Sequence, residues 1–348
     1  MYQFKNDYSE GAYPSIMDKL ICSNLEQAVG YGYDLYTQEA EKLIKSHINC
    51  DSADVYFLVG GTQTNLIAIS AFLKPFEAVI AVDSGHICVH ETGAIEATGH
   101  RIVSVPAHNG KILPEDILKV LKTHEAGGAH MVKPKMVYIS NATELGTVYN
   151  LSELKAISEV CKQNNLYFYV DGARLGSALS VENCDVMMKD MAEYTDAFYI
   201  GGTKNGALFG EALVIINKNL QPDFKYMIKQ RGGLLAKGRL LGIQFAELFS
   251  KNDNGDILFY DIAKHMNKTA KALQDGIKEC GYDFFIQTNS NLVFPIFENS
   301  IYEKLREEFE FDIWEPLDQN TSATRLVTSW ATKQEEVDRF LKLLKSIN

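Results

Sequence analysis

The 348-residue chain has no run of basic residues, no apolar stretch long enough to cross a membrane, and no pair of cysteines at metal-binding or redox spacing. The first absence, together with a net charge of −11, argues against nucleic acid or an anionic membrane as the main partner. A small anionic ligand would then need cations placed locally. The second absence, with a polar opening segment "MYQFKNDYSEGAYPS" that holds no signal-type core, predicts a cytoplasmic setting. The third leaves Cys22, Cys50, Cys88, Cys161, Cys184 and Cys280 widely scattered. That scatter predicts reduced thiols rather than a disulfide framework or a zinc site, and no metal is expected. Internal repeats and low-complexity linkers are absent too.

What is present is a soluble-protein composition, 46% hydrophobic and 23% charged, in a chain long enough for one large domain and a smaller one. Short apolar runs recur: "VYFLV", "AVIAV", "RIVSV", "MVYIS", "YFYV", "AFYI" and "ALVII". Their brevity and continuity predict strands buried on both faces. Most spacers between them read as amphipathic helices. The clearest spans 151–163, where Leu151, Leu154, Ile157 and Val160 share a face and Asn150 with Glu153 forms a capping-box start. Alternation of this kind predicts an α/β fold with a mainly parallel, doubly wound seven-stranded sheet and helices on both faces. The short glycine-containing link before the last run predicts an antiparallel final strand. After about residue 250 the pattern becomes that of a small α+β domain, giving expected units of 1–249 and 250–348, with segment 1–20 packing on the smaller one.

Open α/β sheets bind ligands beyond the carboxyl ends of their strands, and five of the runs end in chemically suggestive loops: "GGTQTN", "DSGH", "NATELG", "DGARLG" and "GGTKNG". Gly61 and Thr62 open a helix, where free N–H groups and backbone access suit a phosphate, or where the glycines simply form a tight turn. Asp171 is either an Asx-turn residue or a carboxylate that keeps a ring nitrogen protonated. Arg174 suits a substrate carboxylate, or is a surface cation. His86 can stack on a ring, move a proton, or serve structure alone. Lys204 is a solvated turn residue, or an amine placed for Schiff-base chemistry. Each feature alone is weak. Their shared sheet edge gives the set its weight.

These motifs resemble the fold-type I pyridoxal 5′-phosphate enzymes, and within them the threonine aldolase and aromatic amino acid β-eliminating lyase family. The resemblance runs from "NDYSEG" and "YGYD" through "GGTQTN", "GHICVHETGA", "SNATELG", "VDGAR" and "GGTKNG" to "GGLLAKGRLLG" and "TRLVTSW", and is closest to the phenylserine aldolase-like branch. It implies that Lys204 carries the cofactor, Asp171 partners the pyridine nitrogen, His86 lies over the ring, and Gly61 and Thr62 hold the phosphate. It further implies that Arg174 and Arg325 contact the substrate carboxylate and that Arg239 lies near the cofactor phosphate of its own or a neighbouring subunit. Tyr31, Asp34 and Glu91 also fall on family motif positions.

Two departures accompany the resemblance. Asn6 stands where many threonine aldolases have a serine that helps to hold the carboxylate. Thr143 is matched to a family histidine on the β-hydroxyl side of the substrate, which implies a roomier pocket and a preference for aryl substrates such as L-phenylserine. The expected activity is cleavage of L-β-hydroxy-α-amino acids to glycine and an aldehyde, with His86 the leading proton shuttle. β-Elimination and amino-group transfer are the alternatives, since they share Lys204 and Asp171. A homodimer or homotetramer with the site at the subunit interface is expected.

Overall fold

A computed structural model of the protein describes residues 1–252 and 254–347. The chain opens with a two-residue strand, β1 (Tyr2–Gln3). Seven strands then build the central sheet: β2 (Asp54–Leu58), β3 (Glu77–Val82), β4 (Arg101–Val105), β5 (Lys133–Ser140), β6 (Tyr167–Asp171), β7 (Ala197–Gly201) and β8 (Glu211–Ile215). Their spatial order is β2-β8-β7-β6-β5-β3-β4. The pairs from β4 to β7 are parallel, and β8 is antiparallel to both β7 and β2. β2 therefore points the same way as the parallel strands.

Every residue of β3, β7 and β8 is buried, because helices cover both faces and each face has its own apolar set. Ile80, Val82, Val137, Ile139, Phe198 and Ile200 belong to one core. Val79, Ala81, Met136, Tyr138, Tyr169 and Tyr199 belong to the other. This is the period-2 alternation of strands clad on both sides. The helix Leu151–Gln163 starts as its sequence dictates. Asn150 Oδ1 accepts from the Glu153 amide at 2.9 Å, and Glu153 Oε2 accepts from the Asn150 amide at 2.8 Å.

The C-terminal part adds β9 (Phe284–Ile286), β10 (Leu292–Glu298), β11 (Phe309–Glu310), β12 (Asp312–Pro316) and β13 (Thr321–Val327). Four of these form an antiparallel sheet in the order β12-β13-β10-β9. Helices Leu258–Glu279 and Gln334–Ile347 contribute Leu273, Ile277, Phe340 and Leu344 to its core, which also takes in Phe4. β1 pairs in parallel with β11, so the N-terminus is stitched to this part of the molecule, and residues 5–9 lead from it toward the central sheet.

Parallel direction puts the carboxyl ends of β2, β3, β5, β6 and β7 along one edge. The chain reverses its winding between β3 and β5, so the loops after these two strands flank the topological switch point where α/β sheets open a crevice.

Candidate active site

Asp171 ends β6 at this edge, is 3% exposed, and is surrounded by donors. Its Oδ2 accepts from Tyr138 Oη at 2.6 Å and from Asn65 Nδ2 at 3.0 Å, and its Oδ1 accepts from the Ala173 amide at 3.0 Å and from Tyr199 Oη. Burial on its own would raise the carboxyl pKa. The positive charge of His86 and the hydrogen bonds from Tyr138, Tyr199 and Asn65 outweigh it and hold Asp171 below the usual carboxylate range. The phenols come from three neighbouring strands on one sheet face, with Tyr138 and Tyr169 in register and the Tyr169 hydroxyl donating to Asn65 Oδ1 at 3.1 Å. A buried phenol needs a polar partner, and here that need converges on one aspartate and one asparagine.

Helix Gly61–Phe72 contributes twice. Its first amides have no intrahelical acceptors and face the edge with the positive end of the helix dipole. Gly61 is required there, since a Cβ would stand 2.9 Å from Tyr199 Oη. One turn later, Asn65 Nδ2 also donates to Glu91 Oε1 at 2.8 Å. His86 Nδ1 lies 2.8 Å from that same oxygen, with 32% of the His86 side chain exposed and none of Glu91's. Burial pulls the imidazole pKa down. The Glu91 hydrogen bond and the Asp171 charge overcome this and raise it above the ordinary histidine value.

Lys204 sits on a loop that its own backbone makes rigid. Gly202 N donates to Gly210 O at 3.0 Å and to Glu211 Oε2 at 3.0 Å, Gly210 N donates to Thr203 Oγ1 at 2.9 Å, and Asn205 Nδ2 donates to Phe259 O at 2.9 Å. Among the described residues the Lys204 amine has no hydrogen-bond or ion-pair partner, and it lies 6.0 Å from the centre of the Tyr8 ring. Burial first, then the Arg174 charge, depress its pKa, against the opposing pull of Asp7, Asp171 and Glu211. The Glu211 carboxyl beneath the loop is itself pushed up to about 8 by burial.

Arg174 holds Asp7 side-on, through Nε to Oδ2 at 2.7 Å and Nη2 to Oδ1 at 3.1 Å. Asn291 Nδ2 adds a third bond to Asp7 at 2.9 Å. The Arg174 Nη1 edge stays free of partners among the described residues. Arg325, from β13, donates through Nη2 to Asp312 at 3.2 Å, and its Nε is buried without a partner. Burial and the nearby Arg174 charge lower its pKa. Two guanidinium groups that repel one another and keep donors in reserve are suited to an incoming carboxylate. Asn6 Oδ1 accepts from the Tyr8 amide at 2.9 Å and from Ser9 Oγ at 3.0 Å, which shapes the turn that carries Asp7.

The other residues singled out from the sequence are placed by their own local contacts. Thr62 is exposed on the first turn of its helix. Arg239 donates to the carbonyls of Glu26 at 2.6 Å and Asn24 at 3.4 Å, fastening the 24–26 segment of its own chain. Asp34 caps helix Leu35–Ile48 through the Thr37 amide at 2.8 Å, and the Tyr31 ring has Lys229 Nζ 4.7 Å from its centre. Thr143 is 1% exposed and engaged within its own turn, with its Oγ1 2.8 Å from Thr147 Oγ1 and filling the space above Gly110. The next residue, Glu144, is the one that reaches the cluster. Its Oε1 accepts from Ser140 Oγ at 2.6 Å and from the His86 amide at 2.9 Å.

Sequence reading also passed over Asp7, Asn65, Tyr138 and Tyr199. The tyrosines carried a signal, since each stands two residues before the end of its strand in a run otherwise fit for a dry core. Buried polar atoms without partners gather at this edge and the strands facing it: Ser84 Oγ, Glu91 Oε2, Asn141 Nδ2, Glu144 Oε2, Asn205 Oδ1 and Arg325 Nε. Such atoms are rare in a folded interior; others, such as Ser158 Oγ in the middle of helix Leu151–Gln163, belong elsewhere, but the six at this edge are ones that a polar ligand would satisfy.

The β-eliminating lyase family model matches residues 4–299. The chain is 30% identical to a low specificity L-threonine aldolase of Pseudomonas sp., over 96% of this chain and 94% of that one. It superposes on a solved structure of Leishmania major threonine aldolase with a TM-score of 0.96 at 48% identity, covering 100% and 99% of the two chains. Aspartate aminotransferase of Thermus thermophilus, at 12% identity and a TM-score of 0.72 over 100% of this chain and 92% of that one, shares the fold-type I architecture alone.

Proposed function

The chain belongs to the β-eliminating lyase family, and we propose that it is a pyridoxal 5′-phosphate-dependent aldolase that cleaves L-β-hydroxy-α-amino acids to glycine and an aldehyde. The observation that carries this reading is the presence, at one sheet edge, of a buried lysine without a hydrogen-bond or ion-pair partner among the described residues and of a buried aspartate kept ionised by surrounding donors. The relatives named low specificity L-threonine aldolase support the reaction class.

The residues at this edge fit the cofactor. Lys204 would hold it covalently, the helix start at Gly61 and Thr62 would take its phosphate, and Asp171 would face its ring nitrogen. Bound there, the cofactor would supply a sink for the electron pair left on Cα when Cα–Cβ breaks. The protein's own part begins with the carboxylate, which the free edges of Arg174 and Arg325 would orient. Asp7 keeps Arg174 in place from behind. Depression of the Lys204 pKa favours the neutral amine, the form that attacks a carbonyl carbon. The Asp171 carboxylate, ionised at neutral pH, would stabilise a protonated nitrogen beside it.

We also infer that the working form is a homo-oligomer. Ile21, Leu25, Val29, Tyr33 and Leu35 are between 58% and 92% exposed. These apolar side chains flank or lie within the 24–26 segment that Arg239 fastens, and their exposure supports a second copy covering them. Light scattering on active protein tests this, and a fully active monomer would refute it. The activity itself is tested by product analysis over a panel of threonine, allo-threonine, phenylserine and serine. Glycine plus an aldehyde is the expected outcome. A keto acid plus ammonia, or an exchanged amino group, would replace the aldolase reading with an eliminating or transferring one.

A further inference from the structure

Cleavage of a β-hydroxy amino acid needs a group that takes the hydroxyl proton, and the structure separates the groups able to do so. His86 Nδ1 is engaged with the Glu91 carboxylate at 2.8 Å, which helps to raise the imidazole pKa above its ordinary value. Glu91 has a buried oxygen to spare but no exposed side-chain surface. Asp7 and Asp171 are occupied by donors and held ionised below the usual range. Glu211 lies beneath the Lys204 loop, bonded to the Gly202 amide. Glu144 shares with Glu91 a buried oxygen to spare, and differs from it in belonging to the loop after β5 and in being 9% rather than 5% exposed. Ser140 and the His86 amide fix its Oε1, while among the described residues Oε2 has no partner. The carboxyl belongs to the loop after β5, at the switch point.

We propose that Glu144 Oε2 is the acceptor of the substrate's β-hydroxyl proton, an assignment that rests on the aldolase reading above. The substrate O–H bond breaks, its proton passes to Oε2, and its electron pair becomes the second bond of the aldehyde carbonyl. The Cα–Cβ pair stays on Cα. In the synthetic direction the same oxygen returns the proton. An unpaired buried acceptor bears its desolvation penalty until a donor arrives. A substrate with a β-hydroxyl supplies that donor and one without it does not, so the same atom favours hydroxylated substrates. Burial, the largest influence on this carboxyl, raises its pKa from the ordinary glutamate value toward neutrality, as a proton acceptor requires.

The test compares two reactions of the holoenzyme that leave the same electron pair on Cα, one by breaking Cα–Cβ and the other by breaking Cα–H. Exchange of the glycine α-proton with deuterated water uses the cofactor, Lys204 and the arginines but involves no β-hydroxyl. Glu144→Gln preserves size and leaves an oxygen for Ser140 and His86. It should lower retro-aldol kcat by about 10²- to 10⁴-fold, while glycine exchange stays within about threefold and borohydride-trapped cofactor, counted by intact mass, is unchanged. Glu144→Asp, with its charge kept but its reach shortened, should recover part of the cleavage. Equal loss of cleavage and exchange, a fall in trapped cofactor that accounts for the loss, or unimpaired cleavage in Glu144→Gln would each overturn the assignment. A wild type that exchanges glycine yet cleaves no β-hydroxy amino acid would instead overturn the aldolase reading.

Discussion

Asp171 and Asp196 stand at opposite ends of neighbouring parallel strands, one closing β6 and the other just before β7, and they use the same side chain differently. Asp196 spends one oxygen on a strand amide and the other on the side chain of a turn residue. Its Oδ2 accepts from the Phe168 amide at 2.7 Å and its Oδ1 from Asn217 Nδ2 at 2.6 Å. Its donors come from the ends of strands and turns, and its task is to close the sheet's amino edge. The donors around Asp171 are mainly side chains, from two tyrosines and an asparagine, and the loops at its edge carry Glu91 Oε2 and Glu144 Oε2, buried without a partner among the described residues. One edge of the sheet is satisfied as it stands. The other is built to be completed by something else, which is how a fold that is symmetric in its layers acquires one reactive side.

The sharpest way to break this comparison is to remove the lysine at the reactive edge. Lys204→Ala should lose turnover and the borohydride-stable adduct together, and mapping of the adduct to another lysine by mass spectrometry would contradict the site. Asp171→Asn should come next, with a loss of about 10²-fold or more in kcat at full cofactor occupancy. The amide keeps the size and gives up the charge that faces the ring nitrogen.

Asp7→Asn should act mainly on stability and substrate affinity. Removing one partner of a buried ion pair costs about 3–5 kcal/mol, and Asp7 is 1% exposed against Arg174. The accompanying disorder of Arg174 should raise KM for carboxylate substrates more than it lowers kcat. The pH dependence follows from the direction of the shift. Although burial alone would raise it, the Asp7 pKa is held below its ordinary 3.8, with the Arg174 charge the main cause. Its stabilisation is therefore complete above about pH 4, the unfolded value, and is lost as pH falls through the lower folded value. Urea denaturation from pH 7 down to 3 should show an acid limb in the wild type that is shallower in Asp7→Asn. Asp196→Asn, at the other edge, should cost about 1–3 kcal/mol of stability while kcat stays within about twofold. A comparable loss of turnover there would remove the distinction between the two edges.

Some of this was legible in the sequence, and physical reasons separate what was from what was not. The seven strands of the central sheet announced themselves because burial on both faces leaves only apolar runs, and the reversed direction of β8 followed from its short link to β7. β12, Asp312–Pro316, gave no such signal, since it is largely solvent-facing and reads as polar. Lys204, Asp171 and His86 stood out because loops at strand ends are short and their residue types unusual. Their partners did not. Asn65 lies 106 residues before Asp171 and Asp7 lies 167 before Arg174, and spacing along a chain carries no information about contacts of that range. The tyrosines passed as core aromatics, because a phenol and a phenyl ring pattern alike until the acceptor is known. Which of two adjacent loop residues faces the site depends on the loop's own hydrogen bonds, and no periodicity governs that choice at Thr143 and Glu144.

That adjacent pair yields the smallest expected effect and the finest test of the comparison. Thr143 had been expected to line the substrate pocket, in which case its replacement would change the ratio of phenylserine to threonine cleavage. Its hydroxyl instead bonds within the turn, 2.8 Å from Thr147 Oγ1 and 3.2 Å from the Thr147 amide, with Gly110 close behind it. Thr143→Val keeps the shape and deletes that hydroxyl, so it should cost about 1–2 kcal/mol and leave the substrate ratio within about twofold. Thr143→His should cost more, about 1–3 kcal/mol for the overpacking it forces, without a directed shift toward threonine. Steady-state kinetics on both substrates, alongside thermal unfolding, separates the two effects. A ratio that moves several-fold in Thr143→Val with stability unchanged would mean that the turn opens in the working enzyme and that the reactive edge extends one residue further than its hydrogen bonds indicate.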